Sequence, residues 1–88
     1  DGWVEQGGVV VKSMAATNTN YSWSQTLPVK MQGTMYTVNI TSKSGWTLNN
    51  VCGLEGTTTT GISGFLKTTG GTVPRDIYVY WRVSGKYA

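Results

Sequence analysis

The chain has no histidine, one cysteine and two prolines in 88 residues, and only 12 % of it is charged. Without histidine, a serine or threonine nucleophile lacks its usual base, and no Asp/Glu or Lys neighbour stands in for one, so the reading is a non-enzymatic protein. The glutamate pair Glu5 and Glu55 reads as two solvated surface carboxylates rather than a glycosidase dyad. Cys52 has no intrachain partner, which excludes a disulfide framework. One thiol with the scattered carboxylates Asp1, Glu5, Glu55 and Asp76 cannot supply a tetrahedral metal set, so no metal or cofactor is implied. No apolar run approaches the ~20 residues of a membrane span and no secretory leader opens the chain, which argues for a soluble domain without membrane insertion. No eleven-residue window carries the i, i+3, i+4, i+7 pattern, which leaves almost no helix.

What is present is glycine (12 residues), threonine (14) and nine tryptophans and tyrosines besides Phe65. Eighty-eight residues make one domain, 1–88, with a water-facing surface built from hydroxyls and amides. Val, Ile, Leu and Phe together number only 18, so the core is thin. Domains this small often lean on disulfides, metals or partner chains. With the first two excluded, self-association is the expected support.

Alternation of period two runs through the chain. Tyr21, Trp23, Leu27 and Val29 alternate with Ser22, Ser24 and Thr26, predicting a half-buried strand whose Pro28 end lies at an edge. Tyr36, Val38 and Ile40 predict a second strand. Ile77, Val79, Trp81 and Val83 share one face of the last strand and Tyr78, Tyr80 and Arg82 the other, which predicts an interior strand covered on both faces. Gly7-Gly8 predicts a bent or bulged first strand. Thr57 to Thr60 favour extended backbone. Asp1-Gly2 is a hairpin-turn dipeptide with a strand after it, which suggests a further strand upstream. The fold class is all-β, an antiparallel β-sandwich of about six or seven strands.

Net charge is +3, but Lys12, Lys30, Lys43, Lys67, Arg75, Arg82 and Lys86 are spread almost evenly along the sequence. No stripe is evident to track a phosphate backbone, so nucleic acid is not an expected partner. Carbohydrate fits better, because sugars offer hydroxyls to amides and apolar C–H faces to aromatic rings. Asn18-Thr19-Asn20-Tyr21 and Ser44 to Asn50 each place an aromatic in or beside an amide-rich loop. Trp46 beside Gly45 either stacks on a ligand or folds back to cap the core. The candidate ligand contacts are Asn18, Asn20, Trp46, Asn49, Asn50 and Arg75.

Several segments also carry a family pattern. Asp1-Gly2-Trp3-Val4-Glu5-Gln6-Gly7-Gly8 resembles the DGW-x-EQGG opening of the C-terminal domain of bacteriophage tail-fibre proteins. Thr26-Leu27-Pro28-Val29, Met35-Tyr36-Thr37-Val38, Thr59 to Phe65 and Val79 to Gly85 are similar to its later strands, in the same order. The segment 43–55 matches nothing in that pattern. The resemblance implies a homotrimeric receptor-binding tip at the distal end of a virion's tail fibre, attaching to a bacterial surface polysaccharide or outer-membrane protein. It further implies packing roles for Trp3 and Trp81, backbone roles for Gly7, Gly8 and Gly85, and receptor contacts in the loops. The alternative is a stand-alone, monomeric, lectin-like carbohydrate-binding module.

Overall fold

The computed structural model describes residues 2–16, 18–43, 50–68 and 75–88. Six strands, β1 (Trp3–Met14), β2 (Tyr21–Thr26), β3 (Thr37–Lys43), β4 (Asn50–Thr57), β5 (Gly61–Thr68) and β6 (Arg75–Lys86), form two three-stranded antiparallel sheets, with no helix among the described residues. One sheet is ordered β1-β6-β3 and the other β2-β5-β4. The last strand is therefore interior, as its two-faced pattern predicts.

Each sheet buries its central strand most deeply. In β5, Ile62, Gly64, Leu66 and Thr68 alternate with half-buried neighbours. In β6 the buried residues are Ile77, Val79, Trp81, Val83 and Gly85. Together with Met14, Trp23, Leu27 and Met31, the apolar members of both strands form one cluster. Each such side chain contributes about 1.5–3 kcal/mol on full burial. Nearly all of this gain comes from long-range pairing, as expected of a chain with two-residue periodicity.

Three aromatic rings sit over glycines on the paired strand. Trp81 is registered against Gly8, Trp23 against Gly64, and Phe65 against Gly53. A Cβ at Gly8 would stand 3.2 Å from the Trp81 indole, and one at Gly64 would stand 2.6 Å from the Trp23 ring. At Gly53 a Cβ would collide with the Phe65 ring. The expected bulge at Gly7-Gly8 is absent, because β1 keeps one register along its whole length. The pair admits close neighbours instead, Gly7 lying against the Trp81 carbonyl and Gly8 against its indole. The register shift falls instead in β4, between Leu54 and Gly56.

β2 ends at Thr26, earlier than its apolar alternation suggests. Leu27 then donates its N–H to Thr60 O, and Gln6 holds Val29 through both the Val29 N–H and carbonyl, each at 2.9 Å. The threonine run also departs from expectation, since Thr58 to Thr60 form the β4–β5 connection. Thr58 N donates to Gly61 O at 2.9 Å, and the Thr58 hydroxyl accepts from Thr60 N. The Tyr36 hydroxyl shares its proton between Thr58 O and Gly61 O, at 2.7 and 3.0 Å, which latches this turn to the start of β3.

Two outcomes follow. Gly64→Ala should destabilise the domain by about 1–3 kcal/mol or prevent folding, by overpacking against Trp23 and the Gly53 carbonyl. Gly33→Ala, with open space around it, should stay within about 0.5 kcal/mol in urea unfolding. Burial pushes the Tyr36 phenol above its usual 10.0. The folded state then holds that proton more tightly than the unfolded one, so the contribution is intact below pH 10 and is lost as pH rises through the raised value. Stability measured from pH 9 to 12 should fall less steeply in Tyr36→Phe than in the parent chain.

Candidate functional site

The register places six strand ends together. Met14 pairs with Arg75, Lys43 with Tyr78, Tyr21 with Leu66 and Asn50 with Thr68. The connections β1–β2, β3–β4 and β5–β6 therefore all leave from one end of a body 46 × 19 × 15 Å. Gly2 and Ala88 lie at the other end, where Tyr87 N donates to Gly2 O and Ala88 N to Lys30 O, each at 2.9 Å. The loop end is thus the end farther from both described termini.

Of the expected contacts, Asn18 and Asn20 are exposed at this end. Asn18 has φ = 55°, a left-handed conformation that asparagine tolerates better than most residues, and its N–H donates to Thr68 O at 2.7 Å. That bond moors the β1–β2 connection to β5. Asn50 opens β4 and Arg75 opens β6, so both belong to the same end by backbone position. Trp46 and Asn49 lie outside the described residues, in the connection between Lys43 and Asn50. Four expected residues are brought together, on segments that lie far apart in sequence.

Two features of this end are not apparent from sequence. Ser13 donates its hydroxyl to Asp76 Oδ1 at 2.8 Å across β1 and β6, which ties down the carboxylate beside Arg75. The only signal for it would have been the Met14–Arg75 register, which a sequence does not reveal. Thr68 is fully buried and its Oγ1 has no hydrogen-bond partner. A hydroxyl desolvated in this way costs stability unless something satisfies it.

The even spread of cations along the sequence does not survive folding. Lys43 is the last residue of β3 and Arg75 the first of β6, while Lys67 and Lys12 lie one and two residues from the ends of β5 and β1. Antiparallel pairing brings all four towards the loop end, with Asp76 among them and Glu55 lining one cleft with Lys12.

A second surface lies on the outward side of the β1-β6-β3 sheet. Val9 pairs with Tyr80 and Val11 with Tyr78, all four exposed. Towards the terminal end, Trp3 (63 % exposed) and Met35 (96 % exposed) flank a cleft of about 390 Å³ whose floor includes Tyr36 and Gly85. The covering expected for the outer face of β6 is not supplied by the described residues, which leave Tyr78 and Tyr80 exposed. Trp81 is buried as expected, but Trp3 is not a core residue. On the outward side of β2-β5-β4, β2 presents Ser22, Ser24 and Thr26, while β5 presents Gly61, Ser63, Phe65 and Lys67.

Comparison with family models, with curated proteins and with solved structures returns no match.

Thr68→Val preserves shape and removes the unpartnered hydroxyl. It should leave thermal stability unchanged or raise it by about 1 kcal/mol in denaturant titration. A loss of more than about 1 kcal/mol would mean that the hydroxyl is satisfied in the folded protein.

Proposed function

We propose that this chain is the receptor-binding tip of a bacteriophage tail fibre, a homotrimer of β-sandwich heads that attaches the virion to a bacterial surface polysaccharide or outer-membrane protein. The observation that carries the reading is the convergence of three connections at the end farther from both described termini. Any fibre continuous with the backbone joins at the terminal end, and the loops then face outward. One cluster shared by the inward sides of both sheets supports the sandwich arrangement.

The motif residues behind the resemblance also touch one another. Gln6 of the opening signature grips Val29 of the Leu-Pro-Val segment, and Gly8 houses Trp81 of the closing one. This supports structural roles for those motifs and leaves recognition to the loops. Self-association is supported by Trp3, Val9, Val11, Met35, Tyr78 and Tyr80, exposed on or beside one sheet face. Aromatic residues and methionine are the types enriched where proteins meet. A trimer needs only weak individual sites, because attachment through three linked copies multiplies avidity without new contacts.

Light scattering coupled to size exclusion should give a trimer at micromolar concentration, and Val9→Glu/Tyr80→Glu should shift it towards monomer while circular dichroism stays β-type. Labelled chain should bind some members of a bacterial panel with defined surface-polysaccharide deletions and lose binding to others. A monomer that still binds glycans would favour the carbohydrate-binding-module reading instead. Absence of binding across a panel that includes a sensitive host would overturn both.

A further inference from the structure

We infer that the loop end takes an anionic glycan, a polysaccharide bearing carboxylate or phosphate groups, rather than a neutral one. This rests on the receptor-binding reading and names the ligand class of that same end. The formal charge of the whole chain is +3. Lys12, Lys43, Lys67 and Arg75 stand within two residues of the strand ends from which the loops leave, with Asp76 among them. Glu55 lines one cleft with Lys12, so the four cations are opposed by two carboxylates, Asp76 and Glu55, which leaves an excess of two positive charges towards this end.

The two short extents of the whole body are 19 and 15 Å. Lys43 pairs with exposed Tyr78 on one sheet and Lys67 alternates with buried Leu66 and Thr68 on the other, so the two flank this end from opposite faces. At an ionic strength of about 0.01 M the Debye length, about 30 Å, is long enough for the four fields to overlap there. The Asp76 carboxylate that opposes them already accepts a hydrogen bond from Ser13. Asn18 and Asn20, exposed beside the cations, add amide groups suited to sugar hydroxyls. Cations supply attraction and on-rate, while amides set which sugar is held. A neutral glycan would make no use of the charge. Among polyanions a glycan is favoured over a nucleic acid because no basic row runs along a strand. The cations sit at strand tips, as a cap, rather than as a track for a phosphate backbone.

The test measures binding of the full chain by biolayer interferometry to four probes: polygalacturonate, a phosphorylated lipopolysaccharide core oligosaccharide with its dephosphorylated counterpart, dextran, and oligothymidylate. Binding to at least one anionic glycan is expected, weakening by about fivefold to tenfold between 50 and 200 mM NaCl, with no binding to dextran. Response to polygalacturonate alone assigns carboxylates, and loss on dephosphorylation assigns phosphates. Lys43→Gln/Lys67→Gln should weaken binding at least about fivefold with thermal stability unchanged. Lys30→Glu, the same two units of charge at the opposite end, should not. Dextran bound as well as the anionic glycans, oligothymidylate bound more tightly than either, or Lys30→Glu as damaging as the loop-end pair would each overturn the inference. If the anionic probes fail while the chain still binds whole bacteria, the ligand class falls and the receptor-binding reading stands. If both fail, the reading itself falls.

Discussion

The fold depends on placing large aromatic rings where a neighbouring strand has no side chain. Two indoles and a phenyl ring are packed by removing the Cβ opposite each one, at Gly8, Gly64 and Gly53. A glycine in a strand ordinarily weakens it, by raising the entropy lost on folding and leaving nothing to pack. Here the aromatic ring of the paired residue fills that space, so the cost is offset across the strands and register is specified at the same time. A shift of one residue in one direction in β1 against β6 would bring Trp81 onto Val9. In a chain so short of Val, Ile and Leu, these pairs do much of what a larger aliphatic core would do. They are not free of cost, since the Trp81 indole N–H is buried without an acceptor whereas Trp23 donates to Phe65 O.

Alternation made most strands legible in advance. Tyr21 to Thr26, Val38 and Ile40, and the two-faced β6 follow from side-chain period alone. Misreadings arose where one residue type serves two physical ends. Gly7-Gly8 reads as a bulge because adjacent glycines usually relax a backbone, but here they accept a ring that lies 73 residues away in Trp81, beyond any local pattern. The four threonines read as extended because of β-branching. The hydroxyl of Thr58 instead closes a turn on Thr60 and Gly61, and Tyr36 holds it from another strand.

The site was legible as residue types and not as a place. Asn18, Asn20, Asn50 and Arg75 carry chemistry suited to ligand-binding loops, and only the topology brings their segments to one end. Charge shows the same limit from the other side. Seven cations spaced evenly along a sequence look like a bland solvated surface, but an antiparallel fold reflects the chain at every turn. Residues far apart along such a path meet in space whenever the interval spans two strands with their connections, as it does from Lys12 to Lys43 and again from Lys43 to Lys67.

Among the described residues, several bonds that fix connections gather at the end opposite the loops. Gln6 on Val29, Tyr36 and Leu27 on the threonine turn, Thr57 on Thr34 and the mooring of Ala88 on Lys30 all belong to the terminal end. None of these bonds is made by a residue of the opposite end, so a change of sequence in the loops leaves them all in place. A base latched by its own residues in this way lets a change of binding target be selected in small steps.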